Sequence, residues 1–292
     1  MNQYLITGSI GHISKPIAAA LIKAGKKVTI LTSSPEKVKE IEAMGATAVV
    51  GSLFDAAFVK NAFRNAEVVY TMIPPVWQTK DWKASQLEVA NNYVEAIKSN
   101  GIKYVVNLSS IGAHLGEGCG PVDAISDFEK MLNKIEELNV KHIRPSSFYY
   151  NLLNQIGLVK QAGIMGANYG EEKIALVHPK DIAKVATEAL LSLNFKGNSI
   201  QYIFSDLRTG KEIAEVLGKS IGKELPWIVF SDEEQKQGML QGGVPETHAG
   251  SYTEMGHAIR TGKMQEEIIN LAPTGSMKLE DFAKEFAAAY NN

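Results

Sequence analysis

Cysteine occurs once in this chain, at Cys119, so no internal disulfide can form and a disulfide-stapled secreted scaffold is excluded. Long hydrophobic runs are missing too: nothing approaches the roughly 20 uninterrupted apolar residues that a membrane-spanning helix needs. The amino terminus enters an apolar strand pattern directly, without the basic segment and long apolar stretch of a secretory leader. Neither sign of charge is in excess, because 30 Lys and Arg face 32 Asp and Glu in an interspersed pattern. That removes the electrostatic footprint by which nucleic acid or an anionic membrane surface would be bound. The 6 histidines show no ligand spacing and no His/Cys/Asp cluster accompanies them, so no metal is expected. A G-x-S-x-G elbow is absent, as are internal repeats, low-complexity tracts and charge runs. Together these absences predict a cytoplasmic protein that binds neither nucleic acid nor a membrane.

What the chain does have is the composition of an ordinary globular protein, 45% hydrophobic and 21% charged over 292 residues. At roughly 150 residues per domain, that length accommodates one large α/β unit or two lobes. Short apolar runs at 3–7, 27–32, 47–51, 67–73, 103–109 and 141–145 alternate with segments of helical period. Ile13, Ile17, Leu21 and Ala24 make one helical stripe, and Leu87, Ala90, Val94 and Ile97 a second. Ile125, Phe128, Leu132, Ile135 and Leu138 make a third, while Gly25, Gly45 and Gly101 stand where helices should stop. Alternation of this kind predicts an α/β fold, a Rossmann-type doubly wound parallel sheet with a smaller, mainly helical C-terminal lobe. The dinucleotide-binding domain is expected over 1–150, completed by 174–204, where two more strands flank a helix at 180–192. The lobe is expected over 151–173 and 205–292, with capping boxes Thr209…Glu212 and Ser231…Glu234 marking two of its helix starts. Ligands of an open parallel sheet bind beyond the carboxyl ends of the strands, which directs attention to Gly8, Thr32, Ser52, Ile73, Ser109 and Pro145.

The first run ends in Ile6-Thr7-Gly8-Ser9-Ile10-Gly11-His12-Ile13-Ser14, a G-x-x-G-x-x-S turn between a strand and a helix. Gly8 permits the tight turn, and Gly11 lets the backbone approach a pyrophosphate held at the positive end of the helix. Ser14 stands where a third glycine is usual and is small enough for close helix-strand packing. With a second strand arriving about 20 residues later, the turn points to a dinucleotide. Cofactor choice is read from the end of that second strand, where an acid would bond the ribose hydroxyls of NAD and repel a 2′-phosphate. Here the chain reads Thr32-Ser33-Ser34-Pro35-Glu36-Lys37, hydroxyls followed by a lysine. With His12 as a second cation the segment favours NADP over NAD, although Ser34 also has the type and spacing of a cap on a helix beginning at Pro35.

Further segments fall into a pattern with this turn and strand exit. They are Ile73-Pro74-Pro75, Leu108-Ser109-Ser110-Ile111-Gly112-Ala113, and Arg144-Pro145 with Phe148-Tyr149-Tyr150-Asn151. His178-Pro179-Lys180-Asp181-Ile182-Ala183 follows, and Thr274-Gly275 with Leu279-Glu280-Asp281-Phe282 closes the series. Together they resemble the NmrA-like branch of the atypical short-chain dehydrogenase/reductase superfamily over nearly the whole chain. The resemblance implies NADP(H) binding, in a quinone or carbonyl reductase or in a redox-sensing regulator. Carried over by position, it implies that Gly8, Ser9, Ile10, Gly11, His12 and Ile13 cradle the pyrophosphate. Thr32, Ser33 and Lys37 would face the adenosine ribose and its phosphate, with Ser34 and Ser52 added as strand-end residues. Ile73, Pro74 and Pro75 would wall the nicotinamide ribose, with Ser109 and Ser110 beside the nicotinamide. Pro145-Ser146-Ser147-Phe148 would close the far side of the ring, and Asp181 would cap or orient a helix.

The wider superfamily reduces carbonyls with a tyrosine whose pKa is lowered by a lysine one helical turn on, so Y-x-x-x-K stands on the helix after the fifth strand. This chain has Asp123-Ala124-Ile125-Ser126-Asp127-Phe128-Glu129-Lys130 there, with neither residue at that spacing. Its one Y-x-x-x-K, Tyr169…Lys173, stands in a glycine-flanked stretch before the run at 174–178. Sugar-nucleotide epimerisation, which uses the pair, is therefore not expected. A quinone accepts hydride readily once it is placed against a nicotinamide with water excluded. The expected function is an oxidoreductase that uses NADPH to reduce a quinone or another small carbonyl or electrophile. The alternative is a non-catalytic NADP(H)-sensing regulator. Ser109, Tyr149 and Tyr150 are the candidate catalytic groups, with His114 a further donor. Each tyrosine reads equally well as a core aromatic with a satisfied hydroxyl. The loop carrying Gly112, Gly116, Gly118 and Gly120 reads as a lid, and Cys119 within it as an unreactive thiol. A monomer and a homodimer both remain open.

Overall fold

β-Branched residues crowd the early apolar runs, as in Val28-Thr29-Ile30 and Val68-Val69-Tyr70-Thr71, and such runs are stable as strands only when both faces are covered. In the computed structural model, which describes residues 3–292, each of them is a strand. The chain runs β1 (Gln3–Ile6), α1 (Ser14–Lys23), β2 (Lys27–Thr32), α2 (Val38–Ala43), β3 (Thr47–Val50), α3 (Ala56–Ala62) and β4 (Val68–Met72). Next come α4 (Trp82–Asn100), β5 (Tyr104–Leu108), α5 (Asp123–Asn133), β6 (Asn139–Pro145), β7 (Ser147–Phe148), α6 (Ile156–Ala162) and β8 (Met165–Ala167). It continues through β9 (Ile174–Val177), α7 (Pro179–Ser192), β10 (Asn198–Ile203), β11 (Asp206–Arg208), α8 (Gly210–Ser220) and β12 (Trp227–Val229). The last helices are α9 (Asp232–Gln241), α10 (Glu246–Arg260) and α11 (Leu279–Asn291).

Two compact units result. The first contains the described residues up to Ser110 with Ala124–Arg144 and Ile182–Gln201, and the second Ile111–Asp123, Pro145–Asp181 and Tyr202–Asn292.

The 7-stranded sheet has the order β10-β6-β5-β4-β1-β2-β3. β1 pairs in parallel with both β2 and β4, so the connections leave it in opposite directions and open a crevice at its carboxyl end. Register places Ile6 beside Ile30 and Tyr70, and Met72 beside Leu108, so the residues after β1, β2, β4 and β5 emerge on one edge. Leu5, Leu31, Val69, Val105 and Val140 pack with Val89, Tyr93, Ile97, Phe128 and Leu132 in one core. Full burial of each such aliphatic side chain contributes about 1.5–3 kcal/mol. Asp55 and Asp81 cap α3 and α4 by accepting from Phe58 N–H and Ala84 N–H, and Gly101 ends α4 in the left-handed conformation.

In the second unit β9 lies between β11 and β7, and β12 pairs in parallel with β8. Tyr149, Phe204, Leu217, Phe282 and Phe286 lie in its core. Both expected capping boxes form, at Thr209/Glu212 and Ser231/Glu234. The glycine-rich stretch after Ile111 is packed at Gly112 and Gly120, while Glu117 and Gly118 between them are exposed. A methyl on Gly112 would lie 2.9 Å from Cys119 Sγ, and one on Gly120 would overlap the Ser251 carbonyl, so glycine serves close approach there.

Candidate cofactor site

Past the end of β1 the chain turns through Gly8 and Ser9, both left-handed at φ +85° and +58°. Glycine is required at the first position, because a Cβ on Gly8 would lie 2.8 Å from Met72 Cγ. The Met72 backbone is fixed in turn: its N–H donates to Thr7 Oγ1 at 3.0 Å, and its carbonyl accepts from the Tyr93 hydroxyl at 3.2 Å. Ser14 is buried and donates to the Thr7 carbonyl at 3.3 Å, so the residue in the third glycine's place also ties α1 to β1. The start of α1 at Ile13 has no side-chain cap and no acid in its first turn. Such a start leaves N–H groups and the positive end of the dipole for an anion. Gly11 is exposed, and a Cβ on it would meet only the Gly8 carbonyl, at 3.8 Å. His12 beside it is exposed. These features fit a dinucleotide pyrophosphate.

Ser9 Oγ donates to Thr32 Oγ1 at 2.9 Å, and the Ser34 N–H donates to the same oxygen at 3.1 Å. This joins the exits of β1 and β2 through hydroxyls. Ser33 is exposed, and Lys37, half-buried, closes a single 3-10 turn that Ser34 precedes without a side-chain cap bond. Ser52 Oγ, exposed after β3, accepts from the Phe54 N–H at 3.2 Å. After β4, Ile73 is buried, Pro74 half-buried and Pro75 exposed.

Ser109 follows β5 and is 4% exposed. Its N–H donates to the Ile143 carbonyl at 2.8 Å, and its hydroxyl donates to Glu129 Oε1. Ser110, the next residue, is half-buried. Arg144 grips the Glu129 carboxylate at two points, Nε to Oε1 at 3.0 Å and Nη2 to Oε2 at 2.7 Å. Burial pushes this carboxyl upward, but Arg144, His142 and Ser109 outweigh it and hold Glu129 below the ordinary carboxylate range. His142 is pushed down to about 4, chiefly by burial and further by Arg144, with Glu129 opposing. Thr71 donates to Asn107 Oδ1 at 3.0 Å, so Asn107 Nδ2 donates to His142 Nδ1 at 3.1 Å and His142 Nε2 donates to Asn133 Oδ1 at 2.9 Å. The sequence reading did not find this network. Its signal was His142 and Arg144 two apart on one face of a strand that must be buried.

The remaining named residues lie in the second unit. Pro145 is buried and Phe148 half-buried. The buried Tyr149 hydroxyl donates to Asp206 Oδ2 at 2.8 Å, and its ring stacks on Phe282 at 5.5 Å. Burial, reinforced by Asp206, lifts its pKa far above the phenol range. Tyr150 donates to Glu285 Oε2 at 2.7 Å and is pushed up to about 12 by burial and by Glu285. His114 Nε2 lies 2.9 Å from Glu266 Oε1. Asp181 accepts from Ser205 Oγ, Ser276 Oγ and the Met277 N–H at 2.8–2.9 Å. Cys119 is buried, and burial with Asp123 and Glu254 pushes its thiol up to about 12, the environment of an inert cysteine. A cavity of about 1080 Å³ is lined around Trp227 by Lys211, Lys219 and Lys223 facing Glu171, Glu215 and Glu224. Its three lysines balance its three glutamates, and none of the candidate cofactor or catalytic residues named from the sequence lines it.

Residues 2–286 match the NmrA-like family. The chain belongs to that family. Over 292 residues, 98% of each chain, it is 24% identical to the NAD(P)H azoreductase of Xenophilus azovorans. It is similar to the crystal structure of a nucleoside-diphosphate-sugar epimerase from Staphylococcus aureus, with TM-score 0.81 and 15% identity over 97% of this chain and 100% of that one. It is also similar to an NADPH-dependent quinone oxidoreductase of Escherichia coli solved with NADPH, with TM-score 0.79 and 18% identity over 97% and 99% of the two chains. At such identities the solved structures establish the fold, and the family resemblance and Rossmann-type sheet expected from the sequence are both borne out. In this NmrA-like protein Tyr169 and Lys173 lie between β8 and β9 rather than on one helix, and burial pushes Tyr169 up to about 12. Among the described residues no helix is long and apolar enough to cross a membrane.

Proposed function

We propose that this NmrA-like protein binds NADP(H) on its first unit and reduces a quinone or another small electrophile by hydride transfer. One observation carries the reading: the uncapped start of α1 stands over a left-handed glycine turn, next to a β2 exit that carries hydroxyls and Lys37. Backbone N–H groups of the Gly8 to Ile13 turn would hold the pyrophosphate, except that of Ser9, which donates to the Leu31 carbonyl at 3.0 Å. Ser33, Ser34, Lys37 and His12 would meet the 2′-phosphate, with Thr32 and Ser52 behind them. Ile73, Pro74 and Pro75 would pack against the nicotinamide ribose, with Ser109 and Ser110 at the ring. When bound, NADPH supplies the hydride, and the residues of this chain bind it, orient it and exclude water.

All three candidate hydroxyls already donate to carboxylates, Ser109 to Glu129, Tyr149 to Asp206 and Tyr150 to Glu285. A phenol held in that way with a raised pKa is a poor proton donor near neutral pH. This favours the packing role for both tyrosines, and an acceptor such as a quinone, which can take its proton from water. The azo and quinone reductases among its relatives fit that class by name. Titration with NADPH and NADH by nicotinamide fluorescence, followed by turnover with quinones and small carbonyls, tests the proposal. Tight NADPH binding with quinone-dependent oxidation is expected, and failure to bind either dinucleotide overturns it. The same lack of a proton donor supports a second reading, a dinucleotide sensor. That reading prevails if NADPH binds and no acceptor is reduced.

A further inference from the structure

Ser109 is almost fully buried, yet its hydroxyl has one proton and two lone pairs to place. The proton goes to Glu129 Oε1. That direction cannot reverse, because an ionised carboxylate only accepts, and Arg144 pins both of its oxygens. The buried Glu129–Arg144 pair is a costly way to stabilise a fold, since apolar replacements of such pairs are often neutral or better. What it does secure is the orientation of one serine hydroxyl at the carboxyl end of β5. Ser109 Oγ can therefore offer a ligand only lone pairs. A quinone brings carbonyl oxygens, which are acceptors as well, so the two cannot bond. The N–H donors at the ring end of a nicotinamide dinucleotide are the two of its carboxamide.

We infer that Ser109 Oγ accepts a hydrogen bond from the nicotinamide carboxamide, and that Glu129 is the positioning residue that fixes this polarity. The inference rests on the NADP(H) reading above. The test compares binding, by intrinsic-fluorescence titration of the full chain, of NADPH and of its 3-acetylpyridine analogue, which has a methyl ketone in place of the amide and so lacks the N–H. Wild type is expected to prefer NADPH about tenfold, the loss of one buried hydrogen bond. Ser109→Ala should bind both equally. Glu129→Gln, which offers the serine an amide in place of a carboxylate, should narrow the ratio although the serine remains. A purely structural role for Glu129 would weaken both ligands together and leave the ratio unchanged. Ser109→Ala removes one atom and leaves Glu129 gripped by Arg144, so it keeps the question answerable if Glu129→Gln does not fold. Equal wild-type affinities, or an unchanged ratio in Ser109→Ala, overturn the inference while the cofactor reading stands. Absence of NADPH binding by wild type overturns the cofactor reading instead.

Discussion

Two glycines in the same turn should fail in opposite ways when given a methyl group. Gly8→Ala must hold alanine at φ +85°, which costs about 1–2 kcal/mol. Its Cβ would also press Met72 Cγ and Sδ at 2.8 and 2.9 Å. The Met72 backbone cannot retreat, being bonded to Thr7 and Tyr93, so its side chain must leave its rotamer for about 1 kcal/mol. The sum, roughly 2–3 kcal/mol, should lower the midpoint of thermal unfolding by roughly 3–5 °C in a chain of this size. Gly11→Ala meets only the Gly8 carbonyl at 3.8 Å without a left-handed φ, so its stability should stay within about 0.5 kcal/mol of wild type. Its methyl, however, would stand where a pyrophosphate must approach the backbone, and NADPH affinity should fall at least tenfold on the order of one lost charge-assisted contact. Scanning calorimetry and fluorescence titration read the two effects separately. Unchanged NADPH affinity in Gly11→Ala would remove the pyrophosphate from this turn, and wild-type stability in Gly8→Ala would refute the packing argument.

Lys37→Ala should weaken NADPH about tenfold, roughly 1.5 kcal/mol, and leave NADH untouched, whereas Ser33→Asp should reverse the preference; equal losses by titration would withdraw NADP over NAD. His142 titrates near 4 in the fold against 6.5 when unfolded, so the unfolded chain protonates first as pH falls. Stability should then decline from about pH 6.5 toward 4, by roughly 3 kcal/mol at most, and urea titrations of His142→Gln should lack that limb. Arg144→Leu should cost roughly 3–5 kcal/mol in urea unfolding by stranding a buried carboxylate, much of it regained in Arg144→Leu/Glu129→Leu; a loss below 1 kcal/mol would mean that Glu129 is not ionised. Tyr150→Phe should leave quinone turnover within about twofold of wild type, and a fall of a hundredfold or more would restore the tyrosine as a proton donor.

Local chemistry made much of this legible in the sequence. Strand positions followed from β-branched runs such as Val68-Val69-Tyr70-Thr71. The turn at Gly8 followed from a conformation that side chains resist, and the starts of α8 and α9 from Thr209…Glu212 and Ser231…Glu234. Each signal involves residues a few positions apart, so no knowledge of the fold is needed to read it. Partner choice is different. Ser109 finds Glu129 20 residues away, Tyr149 finds Asp206 57 away, and Tyr150 finds Glu285 135 away. Ile174–Val177 reads as a strand in sequence, but its pairing with β7 and β11 is decided by which edges lie beside it. The glycines at 112 and 120 likewise read as mobile until Cys119 and Ser251 are seen pressed against them. A hydroxyl or carboxylate carries no record of its partner, because hydrogen bonding is promiscuous and burial makes a particular pair obligatory only after the chain has closed. The sequence by itself determined where the glycine turn and the strands would lie. Only tertiary structure decided where the protons of Ser109, Tyr149 and Tyr150 go.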